Sequence, residues 1–371
     1  MREQKILAAS ENYQELDTYL KNSKHRCVLL VCGSSIRQLN LNKYFETLEN
    51  RLGIRVVRFS DFKSNPTYAS VEHGVDVFCE NGCDFIIAVG GGSAMDVAKC
   101  IKLFSNMDRR KNYLVQHVTP NDIELMAIPT TAGSGSEATR FAVIYENGQK
   151  QSITDESCIP SIVLFEPSVL KTLPEYHKKA TMLDALCHAI ESFWSINSNE
   201  KSKQYSQRAI ETILKYKDSY LRGEEIGNAN MLKAANLAGR AINITQTTAG
   251  HAMCYKLTGL YGISHGHAAA LCVSRLWSYM IKNVNKCIDA RGEEYLKMVF
   301  GKLAEAFECE TAEQAIAKYD AILDSMGLES PIATGEEYEI LKISVNTDRL
   351  KNNPIRLDEE TIDMLYHQIL S

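Results

Sequence analysis

Apolar runs alternate with helix-period segments over the first part of the chain. Residues 27–32, 54–59 and 85–89 are short and apolar, and each run is followed by Gly or Ser. Such runs are typical of buried strands, and the segments between them have the spacing of amphipathic helices. Because strands that alternate with helices form βαβ units, this pattern predicts a parallel sheet.

Further apolar runs follow this region. Residues 125–128 predict a short strand that leads into a loop of Thr, Ala, Gly and Ser at 130–136. Residues 141–145 and 161–165 predict edge strands around a turn at Asn147-Gly148, since Asn-Gly is a strong turn signal.

The pattern changes near residue 167, where long helical stretches begin to dominate. The predicted helices cover residues 174–197, 201–222, 229–244 and 267–284. We therefore expect an α/β domain with a Rossmann-like parallel sheet over residues 1–166 and an all-helical domain over residues 167–371.

Composition and charge exclude several classes of protein. Hydrophobic residues make up 45% of the 371 residues and charged residues 23%, which are ordinary values for a globular protein. The formal net charge of −5 gives no general reason to bind nucleic acid or an anionic membrane. No apolar run approaches the ~18 residues of a membrane-spanning helix, and the eleven cysteines show no paired framework. We expect a cytoplasmic protein with reduced thiols that binds neither nucleic acid nor a membrane.

A glycine-rich segment at residues 90–99 follows the predicted strand 85–89 directly. Glycines at a helix N-terminus let backbone N–H groups approach a diphosphate, and the helix dipole favours the anion. A Gly triplet also occurs in plain turns, and this one is not the GxGxxG fingerprint. The second loop at 130–136 favours the binding interpretation, because two such loops at strand ends suit a cofactor crevice.

Histidine and aspartate spacing suggests a metal site in the helical part. Asp184 and His188 lie four residues apart, so both face the same side of a helix, although such pairs are common as solvated contacts. With His251 and His265 they form a set of one carboxylate and three imidazoles, which suits Fe²⁺ or Zn²⁺ better than Ca²⁺ or Mg²⁺. His267 competes with His265, and spacing alone does not choose between them.

Four ordered motifs, at residues 90–99, 129–139, 184–193 and 251–265, resemble those of the iron-containing (group III) alcohol dehydrogenases. The resemblance covers nearly the whole chain. It implies an N-terminal dinucleotide-binding α/β domain, a helical C-terminal domain and a divalent metal, Fe²⁺ or alternatively Zn²⁺.

The resemblance also implies roles for individual residues. It makes His265 a ligand and His267 a neighbour, because His251 and His265 keep the family's fourteen-residue separation. The implied metal ligands are Asp184, His188, His251 and His265. The implied contacts to NADPH or NADH are Gly91, Gly92, Ser93 and Asp96 near the diphosphate and Thr130, Thr131, Ser134 and Lys150 on the nicotinamide and ribose side.

Two positions depart from the familiar pattern of that family. Many members have a proton-transfer histidine four residues after the third ligand, where this chain has Tyr255; we expect Tyr255 or a water relay to replace it. Members that prefer NAD often end the first strand with Asp, where this chain has Gly33 and Ser34 after Cys32. The loss of that carboxylate favours NADPH, with Ser34 donating to the 2′-phosphate, while NADH stays an alternative.

Arg140, Lys256 and Arg349 fall where the resemblance places the walls of the substrate pocket. Long cationic side chains often lie on the surface, but three at separate wall positions favour an anionic head group. Residues 137–142 and 246–258 resemble the phosphonoacetaldehyde reductase branch of the family. That likeness implies reduction of phosphonoacetaldehyde to 2-hydroxyethylphosphonate, as in phosphonate biosynthesis, and we expect the enzyme to be a homodimer.

Three alternatives stay open at this point. A neutral-alcohol, 1,3-diol or lactaldehyde dehydrogenase of the same family would not discriminate for an anionic group. A dehydroquinate-synthase-like lyase would use NAD only transiently. A non-catalytic metal- or nucleotide-binding protein would not oxidise NAD(P)H with an aldehyde.

Overall fold

A parallel sheet forms the centre of the first structural unit in the computed structural model, which describes residues 4–345 and 347–370. The strands are β1 (Lys5–Ala8), β2 (Cys27–Cys32), β3 (Arg55–Phe59), β4 (Phe85–Gly90), β5 (Glu124–Pro129), β6 (Phe141–Glu146), β7 (Gln149–Thr154) and β8 (Ile162–Phe165). Six of them form one sheet in the order β1-β8-β5-β4-β2-β3, with every neighbouring pair parallel. The predicted α/β fold with a Rossmann-like sheet is confirmed.

Helices connect the strands of this first unit. They are α1 (Gln14–Asn22), α2 (Asn40–Glu46), α3 (Leu48–Leu52), α4 (Tyr68–Glu80) and α5 (Gly92–Phe104). All residues of β2 and β4 are buried, as expected for the middle of a parallel sheet that is covered on both faces. Because parallel strands end at the same edge, the loops after β2, β4 and β5 lie side by side.

The prediction that residues 161–165 form an edge strand is wrong. β8 lies inside the sheet, between β1 and β5, and all its residues are buried. The hairpin partner of β6 is β7, and the turn between them has φ values of 51° at Asn147 and 76° at Gly148. The edge strand on that side of the sheet, β1, was missed because it has only four residues and they are largely exposed.

The second structural unit is helical. Its helices are α6 (Glu175–Trp194), α7 (Glu200–Leu221), α8 (Glu225–Thr245), α9 (Ala249–Tyr261), α10 (His265–Lys282), α11 (Glu293–Ala306), α12 (Ala312–Ser325), α13 (Gly335–Ile343), α14 (Thr347–Leu350) and α15 (Glu359–Ile369). The four predicted helices correspond to α6, α7, α8 and α10, and the sequence did not single out α9 or the helices after α10. Within residues 4–345 and 347–370, no helix is both long and apolar enough to span a membrane.

The two compact units divide after Leu173, and the short segment Ala132–Ser134 groups with the helical unit. The sequence placed the boundary seven residues earlier, after residue 166. The difference arises because the 3-10 helix Pro167–Thr172 follows directly from β8 and groups with the sheet. The assignment of residues 1–166 and 167–371 as domains stays a prediction.

An aromatic core fixes α6 and α10 within the helical unit. The rings of Trp194 and Trp277 meet edge to face with centroids 5.9 Å apart, and Trp277 meets Phe307 in the same way at 5.4 Å. All three side chains are buried. Edge-to-face pairs of this kind add about 0.5–1.5 kcal/mol each beyond the burial of their area. The helices that carry the predicted metal ligands are therefore firmly placed against each other.

Candidate metal centre and cofactor loops

Helix α6 carries three acidic or imidazole side chains on one face. Asp184, His188 and Glu191 follow at intervals of four and three residues, so they stack along the same side of the helix. Every residue of α6 from Met182 to Trp194 is buried. Buried polar groups are costly unless they find partners, so this face indicates a built site and not a solvated surface.

Close helix contacts bring the other two predicted ligands to this face. A Cβ atom added at Gly266 would lie 2.0 Å from the carbonyl oxygen of Ala180 and 2.6 Å from Cβ of Asp184. A Cβ atom at Gly250 would lie 2.9 Å from Oε1 of Glu191. Glycine next to each histidine therefore lets α9 and α10 approach α6, and this places His251 and His265 beside the buried face.

Asp184, His188 and His251 form a compact cluster, called here the Asp-His-His cluster. Their ligand atoms lie within 4.8 Å of one another. Asp184 Oδ1 is 3.5 Å from His251 Nε2, and the rings of His188 and His251 stack with centroids 4.5 Å apart. Asp184 Oδ1, His188 Nδ1 and His251 Nε2 are buried without a hydrogen-bond partner in the described part of the chain. Buried atoms of this kind need an explanation, and a divalent cation bound by oxygen and nitrogen donors fits them.

His265 lies next to the cluster but outside its compact group. Its ring centroid is 5.3 Å from that of His251. The sulfur of Cys254 is 3.6 Å from His265 Nδ1, and the ring of Tyr255 stacks on His265 with centroids 5.4 Å apart. The structure therefore brings three predicted ligands together and places the fourth beside them.

His267 has a different set of contacts. Its Nδ1 is 3.2 Å from the hydroxyl of Tyr176, and that hydroxyl accepts a hydrogen bond of 2.8 Å from the backbone N–H of Ser264. Burial lowers the pKa of His267. Its Nε2 is buried without a hydrogen-bond partner among the described residues. The expected role of His267 as a neighbour of the ligands stays a prediction.

The pKa values of the cluster reflect opposite effects of burial and charge. Burial acts to raise the pKa of Asp184, but the neighbouring His188, His251 and His265 rings hold it below its usual range. Burial lowers the pKa of His188 to about 4. Burial acts in the same direction on His251, but the carboxylates of Glu191 and Asp184 raise its pKa to about 9. At His251 the negative charge of the two carboxylates therefore outweighs the effect of burial on the pKa. A negative environment of this kind favours a bound cation.

Glu191 was missed in the sequence, although it contacts a predicted ligand directly. Its carboxylate accepts hydrogen bonds from the ring Nδ1 of His251, from the backbone N–H of His251 at 3.2 Å and from the hydroxyl of Thr248 at 2.7 Å. The available signal was its position seven residues after Asp184, on the same helix face. Glutamate at such a position is more often exposed, which is why the pattern alone did not single it out.

The loops predicted to bind the cofactor occupy one edge of the parallel sheet. Gly33 and Ser34 follow β2, Gly91 to Ser93 form the start of α5 after β4, and Thr130 and Thr131 follow β5. The backbone N–H of Thr130 donates to the carbonyl of Gly90 at 3.0 Å, which joins two of these loops. The first N–H groups of a helix such as α5 have no acceptor within the helix, and groups of this kind bind phosphate. Ser134 belongs to the segment that groups with the helical unit.

Asp96 has internal partners, and so does a lysine that the sequence did not single out. Lys99 donates to Ser136 Oγ at 2.9 Å, Thr139 Oγ1 at 3.1 Å and the carbonyl of Phe141 at 2.7 Å. Ser136 Oγ in turn donates to Asp96 Oδ1 at 3.2 Å. These groups, called here the Lys99 network, join α5 to the chain that follows the second loop. Burial raises the pKa of Asp96 to about 6, although the charge of Lys99 acts against that rise.

The remaining predicted cofactor contact lies on the hairpin. Lys150 is an exposed residue of β7, opposite Tyr145 of β6. Its charge is close enough to Asp96 to lower the pKa of that carboxyl. The contacts of Lys150, Asp96 and the glycine loop to a cofactor stay predictions.

The three predicted substrate cations have different surroundings. In the sheet unit, Arg140 pairs with Glu156 at 2.8 Å between Nη1 and Oε1, and its guanidinium lies 5.3 Å from the centroid of the Phe141 ring. In the helical unit, Lys256 is a half-buried residue of α9. Arg349, on α14, donates from Nη1 to Oε1 of Gln246 at 3.3 Å.

Arg349 is also close to Tyr255. Burial raises the pKa of Tyr255, and the positive charge of Arg349 acts against that rise. Gln246, which accepts from Arg349, has φ 58° and ψ 175°, a combination that glycine adopts readily and other residues rarely. Strained backbone of this kind clusters at functional sites, and the side chain of this residue contacts Arg349.

A parallel sheet with a glycine loop at a helix N-terminus, together with a buried Asp-His-His cluster, is the arrangement expected of an enzyme that combines a dinucleotide-binding sheet with a metal centre. Residues 3–167 match the family model for iron-containing alcohol dehydrogenase, and residues 178–370 match the C-terminal model of the Fe-containing alcohol dehydrogenase family. The chain belongs to the iron-containing alcohol dehydrogenase family. It is an oxidoreductase with the aldehyde reductase or alcohol dehydrogenase activity of that family, as the sequence predicted.

Individual relatives span most of the chain. Alcohol dehydrogenase 4 of Schizosaccharomyces pombe is 31% identical over 312 residues, covering 82% of this chain and 72% of that protein. Phosphonoacetaldehyde reductase of Streptomyces viridochromogenes is 30% identical over 297 residues, covering 76% and 75%. The structure of sulfoacetaldehyde reductase from Bifidobacterium kashiwanohense in complex with NAD⁺ aligns with a TM-score of 0.88 at 23% identity, covering 100% of this chain and 98% of that one.

Proposed function

We propose that the enzyme reduces a small aldehyde with an anionic head group, specifically phosphonoacetaldehyde to 2-hydroxyethylphosphonate, with NADPH or NADH as reductant. The observation that carries this proposal is Arg349, which Gln246 holds in the same helical unit as the Asp-His-His cluster and whose charge acts on Tyr255. The names of two relatives, phosphonoacetaldehyde reductase and sulfoacetaldehyde reductase, support an aldehyde of this charge.

The proposed metal ligands are Asp184, His188, His251 and His265. The orphaned buried atoms of the first three fit a divalent ion, Fe²⁺ or Zn²⁺. When bound, the metal supplies a Lewis acid for the aldehyde carbonyl and NAD(P)H supplies the hydride. Asp184 would contribute the negative charge that offsets part of the cation's charge, and the imidazoles would supply neutral nitrogen donors.

The chain's own residues bind and orient the two substrates. N–H groups at the start of α5, from Gly92 and Ser93, bind the cofactor diphosphate, and Ser34 donates to a 2′-phosphate. Arg349 and Lys256, both in the helical unit, bind the phosphonate through charge-assisted hydrogen bonds. Anchoring the anionic end holds the aldehyde end in a fixed orientation.

Tyr255 is the proposed proton donor to the product alkoxide. Burial raises the pKa of its hydroxyl, so the group keeps its proton at neutral pH. Its ring stacks on His265, which places it next to the proposed ligands. Tyr255→Phe should therefore lower kcat, while the affinity for the metal stays unchanged.

A substrate panel tests this function. Phosphonoacetaldehyde, sulfoacetaldehyde and a neutral aldehyde of similar length are compared with each reduced cofactor after Fe²⁺ loading. Arg349→Ala should raise KM for the anionic aldehydes about 10- to 100-fold, the effect of losing a hydrogen bond to a charged group. The neutral aldehyde should change less than about threefold. Equal effects on all three aldehydes would contradict the proposed anion site.

A dehydrogenase for neutral alcohols is the second candidate. The observation that favours it is the Arg140–Glu156 ion pair, which already neutralises one of the three cations. In that case the wild-type enzyme would use the neutral aldehyde with the highest kcat/KM in the same panel.

A further inference from the structure

The carboxylate of Glu191 lies deep in the helical unit and is saturated with hydrogen bonds. Glu191 has a relative exposure of 0%. One oxygen, Oε1, accepts from the Thr248 hydroxyl at 2.7 Å and from the backbone N–H of His251 at 3.2 Å. The other, Oε2, accepts from Nδ1 of His251. Two of these three contacts go to a single histidine, so the carboxylate holds both its backbone and its ring.

The partners that hold Glu191 are themselves rigid. Thr248 accepts a hydrogen bond of 2.9 Å from Nε1 of Trp194, and the indole of Trp194 packs edge to face on Trp277. Gly250 lacks the Cβ atom that would lie 2.9 Å from Oε1 of Glu191. The position of the carboxylate is therefore fixed by buried aromatic packing and by a close backbone approach.

This arrangement determines which nitrogen of His251 is available to a metal. A carboxylate can only accept, so Nδ1 carries the hydrogen and Nε2 keeps its lone pair. Nε2 lies 3.5 Å from Asp184 Oδ1 and has no hydrogen-bond partner among the residues that the structure describes. The hydrogen bond to Glu191 thus leaves Nε2 of His251, which carries the lone pair, facing the other residues of the Asp-His-His cluster.

We infer that Glu191 is a positioning residue, which fixes the tautomer and ring orientation of His251 and thereby sets the affinity of the cluster for its divalent cation. The inference rests on the proposed metal site. Carboxylate–histidine–metal arrangements raise the basicity of the ligand, and loss of the outer partner typically weakens metal binding about 10- to 100-fold. Glu191 is not one of the proposed ligands, because both its oxygens accept hydrogen bonds from Thr248 and His251.

The alternative is a purely structural role, in which the carboxylate only stabilises the packing of α6 against α9. The two roles differ in their readouts. A structural role changes the stability of the metal-free protein and leaves the metal affinity of the folded protein unchanged. A positioning role changes the metal affinity and the ligand field of the bound ion.

The test measures Co²⁺ binding to the full-length protein after removal of metal with a chelator. Competition with a chromophoric chelator gives the dissociation constant, and the visible absorption of bound Co²⁺ reports its ligand geometry. The variants are Glu191→Gln, which keeps the shape and removes the charge, and Thr248→Val, which removes the hydrogen bond to Oε1 of Glu191 and the acceptor of Trp194 Nε1. The matched control is Ser192→Ala, which changes the neighbouring buried residue of α6, whose hydroxyl contacts Thr245.

Glu191→Gln should weaken Co²⁺ binding about 10- to 100-fold and alter the absorption band. Thr248→Val should weaken it about fivefold, the effect of one ordinary hydrogen bond, and Ser192→Ala should match the wild type. Urea unfolding of the metal-free proteins establishes which variants are folded. If Glu191→Gln does not fold, the Co²⁺ affinity of Thr248→Val tests the positioning role instead. Wild-type affinity and spectrum in the folded variants would overturn the positioning role. Failure of the wild type to bind Co²⁺ would instead overturn the proposed metal site.

Discussion

In the sheet unit the buried ammonium of Lys99 meets three oxygen acceptors, whereas in the helical unit three buried atoms of the Asp-His-His cluster meet no hydrogen-bond partner among the described residues. Both regions bury charge, and both lie next to a segment that the sequence singled out. The difference lies in their hydrogen bonds. Protein atoms supply acceptors for the ammonium of Lys99, whereas the three cluster atoms have no such partner among the described residues. A satisfied buried charge indicates a scaffold, and an unsatisfied one indicates a place for a ligand.

The largest expected effect comes from removing a ligand of the cluster. Asp184→Asn and His188→Ala should each lower the rate of aldehyde-dependent NAD(P)H oxidation about 1000-fold or more, because Lewis-acid stabilisation is worth several kcal/mol. Initial rates after Fe²⁺ loading measure the effect. Chelator-treated wild type is the control, and its activity should return with Fe²⁺ or Zn²⁺. Full activity of the chelated wild type would show that the reaction does not require a metal.

A change in the Lys99 network should affect stability and leave metal binding intact. Lys99→Met leaves three acceptors and the carboxylate of Asp96 without their cation, so the free energy of unfolding should fall by about 3 kcal/mol. Lys102→Met is the matched control on the same helix; it removes a hydrogen bond of 2.6 Å to the carbonyl of Ser157 and should cost less. Urea titration measures both. If Lys99→Met were as stable as the wild type, the structural role of the Lys99 network would be contradicted.

The pH dependence of stability should also distinguish the two regions. The pKa of Asp96 is raised from 3.8 to about 6 in the folded protein. The folded state therefore holds this proton more tightly, and the stability it contributes is complete below pH 3.8 and is lost as the pH rises through 6. Asp96→Asn should remove this loss, which we place on the order of 1 kcal/mol after solvent screening. Urea titrations at pH 4 and pH 7 measure the free energy of unfolding of the wild type and of Asp96→Asn. An equal change between the two pH values in both proteins would contradict the prediction.

The smallest effect concerns the ion pair of Arg140. Glu156→Gln releases the guanidinium from a partly exposed partner, and exposed ion pairs are worth roughly 0.2–1 kcal/mol. If Arg140 binds the phosphonate, KM for phosphonoacetaldehyde should therefore fall about threefold, with no change for a neutral aldehyde. An unchanged KM for phosphonoacetaldehyde and for the neutral aldehyde would indicate that Arg140 does not bind the substrate.

The sequence predicted the fold well where apolar runs were long and buried. The runs that became β2 and β4 identified the parallel sheet, and the helical periods after residue 167 identified the second unit. Strand β1 has only four residues, which are largely exposed, and without it β8 looked like an edge strand. These errors concern strands whose neighbours, and not their own residues, decide their place in the sheet.

The candidate site was predictable to the extent that its residues form motifs. Asp184 and His188 share a helical turn, and His251 and His265 matched a family spacing. Glu191 lies on the same face, but only the structure shows that its carboxylate meets His251. Likewise, the saturated contacts of Lys99 depend on residues about 40 positions away, at Ser136, Thr139 and Phe141, and helix periodicity holds no information about them.

Anomalous diffraction from crystals of the Fe²⁺- or Zn²⁺-loaded enzyme would locate the metal itself. We expect one strong peak about 2.0–2.2 Å from Asp184 Oδ1 and from a ring nitrogen of His188, with His251 Nε2 at the same distance. A ring nitrogen of His265 should complete the set. A peak at another place, or no peak from an enzyme whose activity depends on the added metal, would contradict the assignment of the cluster as the metal centre.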